Sequence, residues 1–178
     1  MVLFLSRPVH RWQYVLGRVA GTWTLCLAFM FLLHLTIYLT VWTKTGTLIS
    51  GYLIASLVCS INLLFVIACV CFLSLFMPDV ISALFTLAIL FIGFISDGGY
   101  QIITSDIVRS AAPSLSPSEP GVWRMLYPKV FMVQAYADAL ISKSEFHNMG
   151  PFHPLLNLFF FILLIMALLL GRFNQKEI

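Results

Sequence analysis

The stretch Val19–Trp42 reads VAGTWTLCLAFMFLLHLTIYLTVW and contains no Asp, Glu, Lys or Arg. A helix of about 20 apolar residues crosses the roughly 30 Å hydrocarbon core of a bilayer, because it satisfies its own backbone polar groups. Trp23 and Trp42 lie towards the two ends of this stretch, and such residues favour the two membrane interfaces. Val19–Trp42 is therefore predicted to be a membrane-spanning helix.

Three further stretches share this lack of charge, and the termini and the gaps between the four stretches together hold all ten basic and all seven acidic residues. At 61% hydrophobic and 10% charged, with a mean hydropathy of +0.99, the chain is too apolar for a soluble globular protein. The predicted fold class is all-α, a polytopic integral membrane protein with four transmembrane helices. The predicted spans are residues 19–42, 48–77, 80–96 and 155–171.

The charged residues are spread over the termini and the gaps rather than gathered into a basic stripe. Because the net charge is only +3, a nucleic-acid partner is not expected. The four cysteines lie inside the predicted spans, where cysteine usually acts as a small apolar packing residue rather than as part of a disulfide framework. They are Cys26, Cys59, Cys69 and Cys71.

His34 is the only ionisable side chain in the charge-free stretches apart from cysteines and tyrosines. An ionisable residue at membrane depth is a candidate functional site, and the alternative is a neutral imidazole bonded to a neighbouring helix. A haem protein would need a second histidine within the spans, but His10, His147 and His153 lie outside them. No metal, no cofactor and no catalytic residue is therefore expected.

The second predicted span carries small residues on one face. Gly51, Ala55 and Cys59 recur at four-residue intervals, and Asn62 lies on nearly the same face. Small residues let two helices approach closely in lipid, and an amide adds an interhelical hydrogen bond. This face is predicted to pack against another helix, either in this chain or in a second copy.

Residues 97–154 are predicted to form an external loop with short helices before the last span. Asp97-Gly98-Gly99 is expected to end the third span, and residues 100–110 suit a short interfacial helix. A Pro/Ser loop over 111–121 follows, and residues 122–142 form an amphipathic region broken near Pro128. The segment is predicted to cap the bundle rather than to form a soluble domain.

Basic residues flank the first and last predicted spans. They are Arg7, Arg11 and Arg18 before the first span, and Arg172 and Lys176 after the last. Cytoplasmic flanks of membrane spans are enriched in Lys and Arg. Both termini are therefore expected in the cytoplasm, with the long loop outside.

Residues 1–18 are predicted to form an interfacial amphipathic helix that Pro8 is suited to start. One face carries the polar side chains at helical spacing: Arg7, Arg11, Tyr14 and Arg18. Another face carries Trp12, Val15, Leu16 and Val19. The polar face suits either a protein partner or the headgroups of membrane lipid, and periodicity does not separate the two.

This segment resembles the coupling helix of the membrane permease subunits of type-2 ATP-binding-cassette (ABC) exporters. Members of that family carry a Ser/Ala-Arg-Pro-x-x-Arg-x-x-Tyr-x-x-Gly-Lys stretch before four spans, with a re-entrant or capping helical region before the last. The matching positions are Ser6, Arg7, Pro8, Arg11, Tyr14 and Gly17, with Arg18 where the family usually has Lys. Two further features add to the resemblance: Leu73-Ser74-Leu75-Phe76, just before the turn between the second and third predicted spans, and the basic tail after the last span.

The resemblance implies a permease subunit that moves substrate with ATP hydrolysed by a separate ATP-binding subunit, so the chain itself is not expected to be an enzyme. The sequence agrees with this division, because it contains no Gly-x-x-x-x-Gly-Lys-Ser/Thr phosphate loop. The implied ATPase-coupling residues are Arg7, Pro8, Arg11, Tyr14, Gly17 and Arg18. The resemblance also implies a bacterial plasma (inner) membrane and a second permease copy or a complementary permease chain as partner.

The sequence resembles only the C-terminal, four-span portion of such permeases, which usually carry two further spans before the coupling helix. Two other functions therefore stay open. The difference in span number favours a non-transporting membrane scaffold or assembly subunit. A membrane redox or hydrolytic enzyme would need a partner for His34 at its own depth.

Overall fold

The computed structural model describes residues 11–46, 50–103, 127–144, 146 and 152–175. These residues form five α-helices and no strand. The helices are α1 (Arg11–Thr45), α2 (Ser50–Leu73), α3 (Asp79–Ile103), α4 (Val130–Ser142) and α5 (Pro154–Gln175). All except α4 are long and apolar enough to cross a membrane, which confirms the predicted class of an all-helical, multi-pass membrane protein.

Two turns define the ends of the bundle. After α1, Gly46 adopts a φ of 68° and donates its N–H to the carbonyl of Trp42 at 2.8 Å. Glycine suits this left-handed position because it has no Cβ. At the opposite end α2 stops at Leu73, before the predicted limit at Met77, and a turn leads into α3. We call the end with the α2–α3 turn proximal and the end with Gly46 distal.

The central helix of the bundle is α2, which contacts each of the other four described helices. Phe65 of α2 is buried with Val133 of α4 and Leu158 of α5. A second cluster joins Ile67 to Val19 of α1 and to Leu169 of α5. Because lipid is as apolar as these side chains, their packing stabilises the bundle through close van der Waals contact.

The outermost long helix is α1. In the most apolar 18-residue segment of α1, no residue is buried inside the structure. In the most apolar 18-residue segment of α2, 39% of the residues are buried. Leu33 of α1 is 67% exposed, as expected for a side chain that faces lipid rather than water. The indole N–H of Trp23 donates to the carbonyl of Ser60 at 3.1 Å, which ties α1 to the middle of α2.

The described part of the predicted interfacial helix is continuous with the first span. α1 runs without a break from Arg11 through Val19 to Thr45, because this segment contains no proline and single glycines cost a helix only about 1 kcal/mol each. Its 35 residues measure about 52 Å, so α1 extends beyond the roughly 30 Å hydrocarbon core. Residues 1–10, which include Arg7 and Pro8, lie outside the described residues.

α3 continues past its predicted end. Asp97-Gly98-Gly99 lies within the helix, which runs on to Ile103. Asp97 is 1% exposed and accepts a hydrogen bond from Tyr127, so a tertiary contact stabilises the helix where local signals favour a stop. Residues 104–126, which hold the rest of the predicted interfacial helix and the Pro/Ser loop, lie outside the described residues.

α4 lies beside α2 rather than across the distal end. Its start is bonded to Asn62 in the middle of α2, and its last turn lies against Gly51 near the start of α2. The two contacts are separated by about 16 Å along α2, so α4 runs antiparallel to the distal half of that helix. The described part of the predicted external loop thus differs from a cap, because α4 begins in the middle of the bundle.

Candidate functional site

The start of α4 is a polar turn held between two other helices. The backbone N–H of Lys129 donates to Oδ1 of Asn157 on α5 at 3.2 Å. The carbonyl of Val130 accepts a hydrogen bond from Nδ2 of Asn62 on α2 at 3.2 Å. Non-helical backbone at membrane depth is tolerated only where protein or a water-filled cavity satisfies its polar groups. We call Tyr127–Val130 the α4 turn.

A third helix holds the α4 turn through its side chains. The hydroxyl of Tyr127 donates to Oδ1 of Asp97 on α3 and lies 3.5 Å from Oγ of Ser96. Asp97 is 1% exposed and Lys129 is 6% exposed, so an acidic and a basic side chain are both buried here. Burying a charged group is costly unless it is paired and hydrogen-bonded. Such residues inside a membrane protein mark a candidate functional site.

An open groove of about 510 Å³ runs between α3 and α4 beside this turn. Three of its polar side chains lie four residues apart on one face of α4, namely Gln134, Asp138 and Ser142. At the other end of the groove, the rings of Phe94 and Phe131 meet edge to face with centroids 4.9 Å apart. We call this cavity the α3–α4 groove.

The α3–α4 groove continues towards the proximal end as an apolar cleft of about 310 Å³. Phe94, Phe131 and Gln134 line both spaces. The remaining lining of the cleft is apolar: Val66, Leu87, Leu90, Phe91 and Val130. The two spaces are therefore neighbours along α3 and α4, with polar side chains in the distal one and apolar side chains in the proximal one.

The predicted packing residues of α2 lie towards α4 and the α4 turn. A Cβ built at Gly51 would overlap the carbonyl oxygen of Leu140, so only glycine allows this approach. Ala55 is 3% exposed and Cys59 is partly buried. The Oδ1 atom of Asn62 is buried and receives no hydrogen bond within the described residues.

Among the described residues, His34 is hydrogen-bonded within its own helix and not to a neighbouring helix. Its Nδ1 lies 2.7 Å from the carbonyl oxygen of Met30, one turn earlier in α1. Its ring lies 5.6 Å from that of Tyr52 on α2. Within the described residues, no group of three His, Cys, Asp or Glu side chains could hold a metal ion.

The predicted coupling residues that the structure describes lie at the proximal end. Tyr14 is 61% exposed, and Arg18 and Gly17 are also exposed. Val15 and Val19, which share the predicted apolar face, are buried within the bundle. Of the predicted apolar face, Val15 and Val19 therefore pack on protein, whereas Trp12 is 48% exposed.

Tyr14 and Arg18 flank a narrow crevice that reaches Ser74 beside the α2–α3 turn. In the same region, the guanidinium of Arg172 on α5 lies 5.5 Å from the ring centroid of Phe76 in that turn. A cation over an aromatic face is attracted by the ring quadrupole. The proximal end thus brings together basic and aromatic side chains from α1, α5 and the turn.

Sequence reasoning missed the residues that surround the α4 turn, apart from Asn62. Asp97 reads locally as a helix end, and Lys129 reads as a loop cation. Asn157, an amide within a predicted span, is the one signal that could have indicated a polar contact at this depth. The segment Tyr127-Pro128-Lys129 has no periodicity that would place it inside a bundle.

Comparison of the chain with protein-family models, with curated proteins and with solved structures finds no match. The fold and the site define the class: a multi-pass membrane protein in which a short helix starts at a polar turn in the middle of the bundle.

Proposed function

We propose that the chain is a membrane-spanning permease subunit of an ABC transporter, in the plasma membrane of a bacterium and with both termini in the cytoplasm. It moves substrate with ATP hydrolysed on a separate subunit. The proximal end of the bundle faces the cytoplasm in this proposal. A second permease copy, or a complementary permease chain, completes the transporter.

The observation that carries the proposal is the α4 turn in the middle of the bundle. Interrupted helices with unwound backbone at mid-membrane are typical of substrate sites in transporters. In this chain the non-helical α4 turn is accompanied by the buried side chains of Asp97 and Lys129 and by a groove that begins beside it. Ionisable side chains buried inside a membrane bundle are rare and commonly mark substrate or ion pathways.

The coupling part of the proposal rests on the proximal end. Tyr14 and Arg18 are exposed there on the first turns of α1, which is one continuous helix of 35 residues. Arg11 begins the same helix, and the sequence places Arg7 one turn before it. A movement of an ATPase subunit against these residues would be transmitted along α1 to its contact between Trp23 and Ser60.

A photocrosslinking experiment tests this function. A benzoylphenylalanine is placed at Tyr14 in one variant and at the lipid-facing Leu33 in a matched control. We expect Tyr14 to crosslink, in membranes, to a chain that has a phosphate-loop motif and that copurifies as an active ATPase. We expect no such product from Leu33.

Crosslinks from Tyr14 to lipid alone would overturn the coupling site and favour the lipid-anchor interpretation of the basic face. Crosslinks to a membrane protein without ATPase activity would instead favour the scaffold or assembly function. Mass spectrometry of the crosslinked peptides distinguishes these outcomes.

A further inference from the structure

The α3–α4 groove has a strongly uneven distribution of polar and apolar groups. Its distal part holds Asp138, Ser142 and Ser144, and its proximal part holds Phe94 and Phe131. The apolar cleft extends the proximal part further along α3. A ligand that fits this space has an apolar body and a polar head.

The charge in the groove has one sign. Asp138 is the only charged side chain among the described residues that line it, and no Lys, Arg or His is among them. Asp138 is exposed on the outer side of α4, whose position beside the distal half of α2 puts the carboxylate near the membrane interface. A carboxylate at the edge of the hydrocarbon region is partly desolvated, so a cation in the groove would offset the cost of its charge.

The aromatic lining also favours a cation. Phe94 and Phe131 meet edge to face, and Phe146 lines the distal part of the groove. Aromatic faces attract organic cations, and recognition of quaternary ammonium groups commonly combines such rings. Carbonyl oxygens of Gln101 and Gln134 can accept hydrogen bonds from a protonated amine.

We propose that the α3–α4 groove binds an amphipathic organic cation, with its charged head at Asp138 and its apolar body against the paired rings of Phe94 and Phe131. An anionic amphiphile would be repelled by Asp138, and a neutral lipid chain would leave that carboxylate without a counter-charge. The proposal deepens the proposed function, on which it rests for the statement that this ligand class is the transported one. The binding itself requires no ATPase subunit.

The test uses two ions of the same shape and opposite charge. The full chain is placed in phosphatidylcholine nanodiscs, and binding of tetraphenylphosphonium and of tetraphenylborate is measured by equilibrium dialysis against empty nanodiscs. We expect a saturable component for tetraphenylphosphonium only. Absence of that component, or an equal one for tetraphenylborate, overturns the proposal.

Three variants examine the role of the carboxylate. Asp138→Asn should weaken tetraphenylphosphonium binding about tenfold, and Asp138→Glu should retain most of the affinity. Asp79→Asn, which removes a carboxylate at the proximal start of α3, is the matched control and should bind as the parent does. Unchanged affinity in Asp138→Asn would contradict the assignment.

A second measurement leaves Asp138 intact, in case its replacement impairs folding. Ser142→Cys places a thiol in the groove lining, and peptide mass spectrometry follows its reaction with a maleimide. Tetraphenylphosphonium should slow this reaction and tetraphenylborate should not. Equal maleimide reaction rates with and without tetraphenylphosphonium would overturn the proposed binding site. Failure of the Tyr14 crosslink would instead contradict only the proposed coupling to an ATPase and would leave the binding site untouched.

Discussion

The hydroxyl of Tyr127 donates a hydrogen bond to the carboxylate of Asp97, although the two residues are 30 positions apart in the chain. The contact joins the α4 turn to α3, whose helix continues past Asp97 to Ile103. Amide side chains from α2 and α5 hold the backbone of the same turn. The position of α4 inside the bundle thus depends on polar contacts to three helices.

Loss of the Tyr127 hydroxyl should destabilise the protein. Tyr127→Phe keeps the ring but removes a donor to a buried carboxylate, and such a loss costs about 1–3 kcal/mol. We expect a lower thermal unfolding midpoint for the detergent-purified variant. Tyr38→Phe is the control, because the Tyr38 ring stacks on Tyr52 and its hydroxyl makes no hydrogen bond to any residue that the structure describes. Equal midpoints for the two variants would contradict the role of the Tyr127–Asp97 contact.

Gly51→Ala should displace α4. The added methyl group would overlap the backbone of Leu140, which cannot move without its helix, and overpacking of this kind costs roughly 1–3 kcal/mol. The matched control is Gly98→Ala in α3, where a Cβ meets nothing within 4 Å. That change should be neutral or stabilising by up to about 1 kcal/mol. If the thermal unfolding midpoints of Gly51→Ala and Gly98→Ala fell by the same amount, α4 would not approach Gly51 closely.

Ala55→Leu should also impair folding of the chain. Ala55 is 3% exposed on the central helix, so a larger side chain has no space, whereas Leu57 is 51% exposed on the outer side. Membrane insertion should be preserved in both Ala55→Leu and Leu57→Ala, because each keeps the span apolar. We expect the fraction recovered as a monodisperse peak from solubilised membranes to fall only for Ala55→Leu. Equal recovery would mean that Ala55 faces lipid.

The proposed orientation predicts opposite accessibility for the two ends of the bundle. Ser144 follows α4 at the distal end, and Met77 lies in the α2–α3 turn at the proximal end. Ser144→Cys should react with an impermeant maleimide in intact cells, and Met77→Cys only after the membrane is opened. The reverse result would place the termini outside.

The four membrane helices could be predicted from sequence because the bilayer imposes length and polarity on each span separately. The helix ends were less predictable. Asp97-Gly98-Gly99 has the local signals of a helix end, but α3 passes through it. The contact that overrides those signals comes from Tyr127 and cannot be inferred from residues near Asp97.

The candidate site was harder to predict from sequence than the helix ends. A charged residue between two spans reads as part of an aqueous loop, so the sequence gives no reason to place Lys129 in the bundle. Its burial depends on α4 lying along α2, which in turn depends on the close approach at Gly51. The small-residue face of α2 was recognisable from sequence, but the helix against it was not.

The most direct test of the proposed transport function is the ATP hydrolysis rate of the complex between this chain and the ATPase that Tyr14 crosslinks. Arg11→Glu reverses a charge at the start of α1, and Lys44→Glu makes the same change in the last turn of that helix as a control. We expect Arg11→Glu to reduce the stimulation of ATP hydrolysis by the chain about tenfold. Lys44→Glu should leave the stimulation unchanged. If Arg11→Glu retains both association and full stimulation, the basic face of α1 does not couple to the ATPase.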